Sequence, residues 1–187
     1  MAKIADNIIL TGIKGMLGDM LVFREVKGQT IVSTKPKKPT SRTQKQQEGQ
    51  ERFKKAIAYA KSAMADADTK ALYATGISSR CSSAHQVAIA DYLNAPRIES
   101  IDTSHYNGQA GSSIIVNASD DFMVVTVQVT IHTADGEQLE SGNAVKNATD
   151  NFWTYTTTQQ NASNANCQAT ITATDLPGNT TTRSFAL

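Results

Sequence analysis

Four aspartates in expected loops, Asp120, Asp121, Asp135 and Asp175, are the side chains of this 187-residue chain best suited to chemistry. Carboxylate oxygens are hard donors, and several converging from neighbouring loops would hold a Ca²⁺ ion. Their spacing is not that of a helix–loop–helix calcium loop, and isolated loop aspartates commonly cap turns. No metal site is therefore assigned. His85, His105 and His132 fall on an expected helix, loop and strand, without the HxH or HExxH spacing of a zinc site. Cys81 and Cys167 lie in different halves of the chain and form no CxxC pair. They are expected as unpaired thiols, buried or half-buried. No GxSxG or papain-like cysteine context supplies a nucleophile. The reading is a non-enzymatic protein that needs no cofactor.

Two further groupings invite a ligand and do not support one. Gly12, Gly15, Gly18 and Gly28 are spaced like a glycine-rich loop, but no Lys-Ser/Thr follows a GxxxxG. They are expected at turns or close backbone approaches instead. Lys35, Lys37, Lys38, Arg42 and Lys45 could meet phosphate. Aromatic residues for base stacking are missing there, and an acidic C-terminal half would repel a nucleic-acid backbone. A solvated linker or an acidic protein partner is the better reading, and no nucleic acid is expected. Asn117, Asn147, Asn161 and Asn179 head N-x-S/T triplets and report a Ser/Thr/Asn-rich strand surface. Such a surface suits an exposed or sugar-contacting module.

The elements that would carry these residues change character near Pro96. Residues 19–26 and 29–34 are rich in β-formers around Lys27-Gly28, which predicts a β-hairpin. Its first strand places Leu21 and Phe23 on one face and Met20 and Val22 on the other. Pro36 and Pro39 flank a short basic linker. Thr40 or Ser41, with Gln44, is expected to cap a helix running to about Met64, buried through Phe53, Ile57, Ala60 and Met64. Asp66 or Asp68 caps a second helix that ends at Gly76. A third runs from about Ser83 to Leu93, where small residues Ala84, Ala88 and Ala90 permit close packing. From Arg97 the period becomes two. Strands are expected at 98–102, 113–118, 124–133, 138–141, 152–157, 167–174 and 181–186. The alternation is clearest in Val125, Val127, Val129 and Ile131. Seven short strands over about 90 residues predict an antiparallel sandwich. Trp153, the single tryptophan, is expected between its sheets.

The fold class is thus α+β, with an N-terminal β-hairpin and small helical cluster over 1–96 and a sandwich over 97–187. Charge divides similarly. Residues 1–99 hold 16 Lys and Arg against 9 Asp and Glu, a net of +7, and residues 100–187 hold 2 against 8, a net of −6. Such a division speaks of partners rather than of fold. The N-terminal apolar stretches are broken by Asp6, Lys14 and Asp19, so neither a signal peptide nor a membrane span is expected. The reading is a chain made in soluble form, its final compartment left open.

The segments Asp135-Gly136-Glu137, Trp153 with Tyr155, and Ala173-Thr174-Asp175-Leu176-Pro177-Gly178-Asn179 resemble bacterial Ig-like repeats of surface and phage proteins. The resemblance covers the C-terminal half, and the ATDLPGN turn is its most specific part. It implies an Ig-like sandwich and no activity. The N-terminal half, with LGDMLVFREVKGQTIVSTKP before a Gln-rich helix, is similar to uncharacterised proteins of Bacteroidota and their phages. From these features the chain is expected to self-assemble into an extracellular filament or virion. The hairpin residues Met20, Leu21, Val22, Phe23, Ile31 and Val32 would form the interface between subunits. The alternative is an adhesin or carbohydrate-binding module anchored through its N-terminal half.

Overall fold

The computed structural model describes residues 2–4, 12–26, 28–37, 41–148, 150–161 and 167–187. Lys27 of the expected turn, Lys38 and Pro39 of the linker, and Thr40 as a helix cap lie outside them. The chain is α+β and forms two compact units, Met1–Gln46 and Gln47–Leu187.

The first unit is a four-stranded antiparallel sheet of β1 (Ala2–Ile4), β2 (Gly15–Leu17), β3 (Leu21–Val26) and β4 (Gln29–Thr34), in the order β1-β4-β3-β2. The expected hairpin is its centre. Leu21 pairs with Thr34, Phe23 with Val32 and Val26 with Gln29. Gly28 sits at φ +76°, a left-handed turn conformation that glycine adopts without strain. The flanking strands have three residues each, too few to show a period in the sequence. Among the described residues of this unit only Phe23 and Thr30 are buried.

Helix α1 (Gln44–Ala65), all but its first three residues in the second unit, is followed by α2 (Ala67–Ala74) and α3 (Ala84–Leu93), and the three precede the strands. The α1 cap is a reciprocal pair one turn later than expected: the Thr43 N–H donates to Gln46 Oε1 at 3.1 Å, and the Gln46 N–H to Thr43 Oγ1 at 3.4 Å. The expected buried stripe is also displaced. Phe53 and Ile57 are 48% and 40% exposed, whereas Ala56, Ala60 and Ala63 are buried. Small residues on this face let Tyr73 of α2 lie fully buried beside Val87 and Ala88 of α3. Asp66 caps α2, accepting the Thr69 N–H at 2.8 Å, and Ser83 caps α3.

The strands form two four-stranded antiparallel sheets, packed face to face as a β-sandwich. One contains β5 (Arg97–Asp102), β6 (Ser113–Ser119), β10 (Phe152–Thr156) and β9 (Val145–Lys146). The other contains β12 (Thr180–Ala186), β11 (Gln168–Asp175), β7 (Val124–His132) and β8 (Gln138–Asn143). Their shared core includes Ile114, Val116, Val127, Val129, Ile131, Ile171 and, as expected, Trp153. One detail departs from the predicted alternation. Thr174 pairs with Thr126 but Asp175 with Val124, so Val125 is an extra residue in β7. This β-bulge turns Val124 inward and leaves Val125 41% exposed.

The sequence reading divides the chain between residues 96 and 97. The compact units divide after Gln46, and the helices belong with the sandwich. Phe122 and Leu176, from loops of the sandwich, pack on the helical cluster. The Phe122 ring lies 4.8 Å from that of Tyr73. No helix among the described residues is long and apolar enough to cross a membrane.

Candidate functional site

Among the described residues, three carboxylates group where α3 meets the ends of two sandwich strands. Asp91, Asp120 and Asp175 each offer an oxygen, and these oxygens lie within 4.8 Å of one another. Each residue arrives there for a local reason. In α3, Asp91 follows Val87 by four positions and Ala88 by three, so it shares their inward face. In β11 every second residue is buried, namely Ala169, Ile171, Ala173 and then Asp175. The strand period carries a carboxylate into the core face where an apolar residue would ordinarily continue. Asp120 directly follows β6.

The ATDLPGN turn closes the site. Asp175 accepts the Asn179 N–H at 2.6 Å and the Asn179 Nδ2 amide at 2.7 Å. The same amide reaches the carbonyls of Asp91 and Tyr92, each at 3.3 Å, and so ties the turn to the end of α3. On the other side the buried Tyr73 hydroxyl donates to Asp91 Oδ2 at 2.6 Å, and Tyr59 Oη stands 2.8 Å from it.

The electrostatics are strained. Asp91 lies in the last turn of α3, where the helix dipole disfavours an anion. Among the described residues no Lys, Arg or His forms an ion pair with any of the three acids. Burial pushes the Asp91 carboxyl up to about 8. The Tyr73 hydrogen bond opposes that shift, and the neighbouring Asp120 adds to it. Burial also raises Asp175, against the lowering effect of the Asn179 donors. Asp91 Oδ1 and both Asp120 oxygens are buried without a hydrogen-bond partner. Such a cluster can hold a proton or a hard cation.

Of the aspartates singled out in the sequence, Asp120 and Asp175 come together here. Asp121 does not join them; it accepts the Asn94 amide at 2.6 Å and pairs with Arg80 at 3.6 Å. Asp135 lies in the turn between β7 and β8. Asp91 was missed, although its helical spacing from Val87 and Ala88 marks it as an inward-facing acid. The cysteines form no disulfide, Cys81 being half-buried and Cys167 buried.

The residues expected at a subunit interface lie in the first unit and differ in exposure. Met20, in the turn before β3, is 75% exposed. Leu21, Val22, Ile31 and Val32 are half-buried, and Phe23 is a core residue of its own sheet. Met16 and Leu17, which the sequence reading did not single out, are 57% and 65% exposed.

The molecule is thus an α+β chain whose helical cluster and β-sandwich meet at a closed carboxylate cluster. No protein-family model matches it, and the comparison with curated proteins finds no match.

Proposed function

We propose that this chain is a non-enzymatic structural protein that self-assembles, its N-terminal sheet meeting a second copy and its sandwich, read as Ig-like, forming the displayed part of a filament or virion. The observation that carries this reading is the run of exposed apolar side chains Met16, Leu17 and Met20 on the β2–β3 hairpin. Met16 and Leu17, consecutive in a strand, face opposite sides of it, so the hairpin exposes apolar side chains on both faces, as interaction sites do. β2 also stands at the edge of its sheet, where a neighbour's strand can add. Charge favours a second copy as the occupant. Residues 1–46 hold nine Lys and Arg against three Asp and Glu, a net of +6, and residues 47–187 hold nine against fourteen, a net of −5. Unlike surfaces that meet head to tail propagate into rings or fibres.

Size measurement of the full chain, by light scattering and negative-stain microscopy, tests this reading. Regular polymers or rings are expected, and Leu17→Asp with Met20→Asp should disperse them. Both positions are exposed, so the variants leave the fold intact, whereas Phe23→Asp would disrupt the sheet itself. A particle that stays monomeric at high concentration overturns the proposal.

A further inference from the structure

We propose that Asp91, Asp120 and Asp175 bind one hard divalent cation, Ca²⁺ or Mg²⁺, that pins the end of α3 to the ends of β6 and β11. Three carboxylate oxygens within 4.8 Å of one another form the first part of the case. The second part is independent of their proximity. Asp91 is 0% exposed, yet its Oδ1 has no hydrogen-bond partner, and neither oxygen of Asp120 has one. Buried polar atoms are nearly always satisfied, and three orphaned oxygens on two of the three clustered carboxylates call for a positive partner.

A proton does not satisfy the arrangement. Shared between Asp91 and Asp120, it would join one oxygen of each and leave the second Asp120 oxygen orphaned. Asp175 is meanwhile held as an acceptor, since both of its oxygens receive hydrogen bonds from Asn179. A cation at the centre engages all three carboxylates at once. It also meets the negative end of α3, where the helix dipole favours positive charge. The donor set is entirely oxygen, the chemistry of Ca²⁺ and Mg²⁺ rather than of zinc or copper. Asp120 also lines a cavity of about 180 Å³ with Ser119, Lys146 and Asn151. The ion would thereby fasten the helical cluster to the sandwich, a role distinct from contact between subunits.

The test uses the full-length chain, stripped with EDTA and exchanged into chelator-free buffer at constant ionic strength. CaCl₂ and MgCl₂ are titrated by calorimetry in separate arms, followed by thermal unfolding with and without each salt. Binding of one ion per chain and a raised Tm are expected, and the arm that binds more tightly names the ion. Asp120→Asn should weaken binding about tenfold or more while the far-ultraviolet circular dichroism stays unchanged. Asp175→Asn provides the second variant should the first fold poorly. Asp135→Asn, at an exposed turn, should bind like the parent chain. Neither heat nor a change in Tm with either salt up to about 10 mM, beyond the weakest range of protein calcium sites, overturns the proposal. Binding that Asp120→Asn and Asp175→Asn both leave untouched overturns it equally.

Discussion

Asp91 is buried beside two other acids, and its behaviour in the chelated protein follows from that position. The unfolded chain releases this proton near the ordinary carboxyl value of 3.8, while the folded chain, with burial and Asp120 against the carboxyl, holds it until about 8. Between those values the folded state binds the extra proton, so this group's contribution to stability is complete at low pH and is lost as pH rises. The groups that face it are Tyr73, Asp120 and Asp175. In EDTA, urea midpoints should therefore fall between about pH 4.5 and pH 8, and Asp91→Asn should flatten that slope. A parent slope equal to the variant's would contradict the assignment. Trp153 makes the opposite kind of residue-level case. It is 6% exposed in the sandwich core, with the Lys146 ammonium 5.8 Å from its ring centroid. Trp153→Ala should cost about 3–5 kcal/mol in denaturant unfolding. Trp153 was legible because a lone tryptophan on an alternating strand has few places to go. Asp175 was legible as a loop acid that could cap a turn or meet a cation, but not as the last core-facing residue of a strand. Asp91 was not legible, because an acid on a helix reads as solvated unless its spacing from buried neighbours is weighed.

Elements with a long period were the easiest to see in the sequence. The expected third helix and all seven expected sandwich strands lie within a few residues of the observed ones. β1, β2 and β9 were missed because two or three residues define no period. The stripe of α1 was misjudged for a different reason. Bulk suggested Phe53 and Ile57, but the neighbouring helices demanded a face of alanines on which Tyr73 could lie. Gly76 shows the same closeness. It was read as a helix stop, yet its φ is not left-handed, and a Cβ built there would stand 2.8 Å from the Phe122 ring and 2.9 Å from Val87 Cγ1. Gly76→Ala should therefore destabilise the chain by about 1–3 kcal/mol by thermal unfolding, in the way overpacked cores do. An unchanged or raised Tm would mean that the helices do not hold Phe122 this tightly. The β7 bulge belongs to this scale too, because the hydrophobic pattern runs on through Val124 and Val125 and cannot show which of them is the extra residue.

At the scale of the molecule, the helices and the sandwich form one compact unit, and this sets the next expectation. A fragment starting at Thr43, which keeps the α1 cap, should unfold in one cooperative transition. A fragment starting at Arg97 should be measurably less stable, because Phe122, Leu176 and Asn179 lose their partners on the helices. Equal stability would show that the helices contribute nothing to the sandwich. The charge division was fully legible in the sequence, since it depends on composition alone. The exposed apolar hairpin was legible only in part, because Met20 was singled out while Met16 and Leu17 lie on a strand too short to notice. Self-association through that hairpin is the central claim. It is tested most directly by multi-angle light scattering of the full chain across a concentration series, run beside the Leu17→Asp, Met20→Asp double variant. The expected result is a parent mass several times that of the 20.1 kDa chain, rising with concentration, and a variant at the monomer mass. A parent chain that holds the monomer mass throughout, indistinguishable from the variant, would contradict the claim.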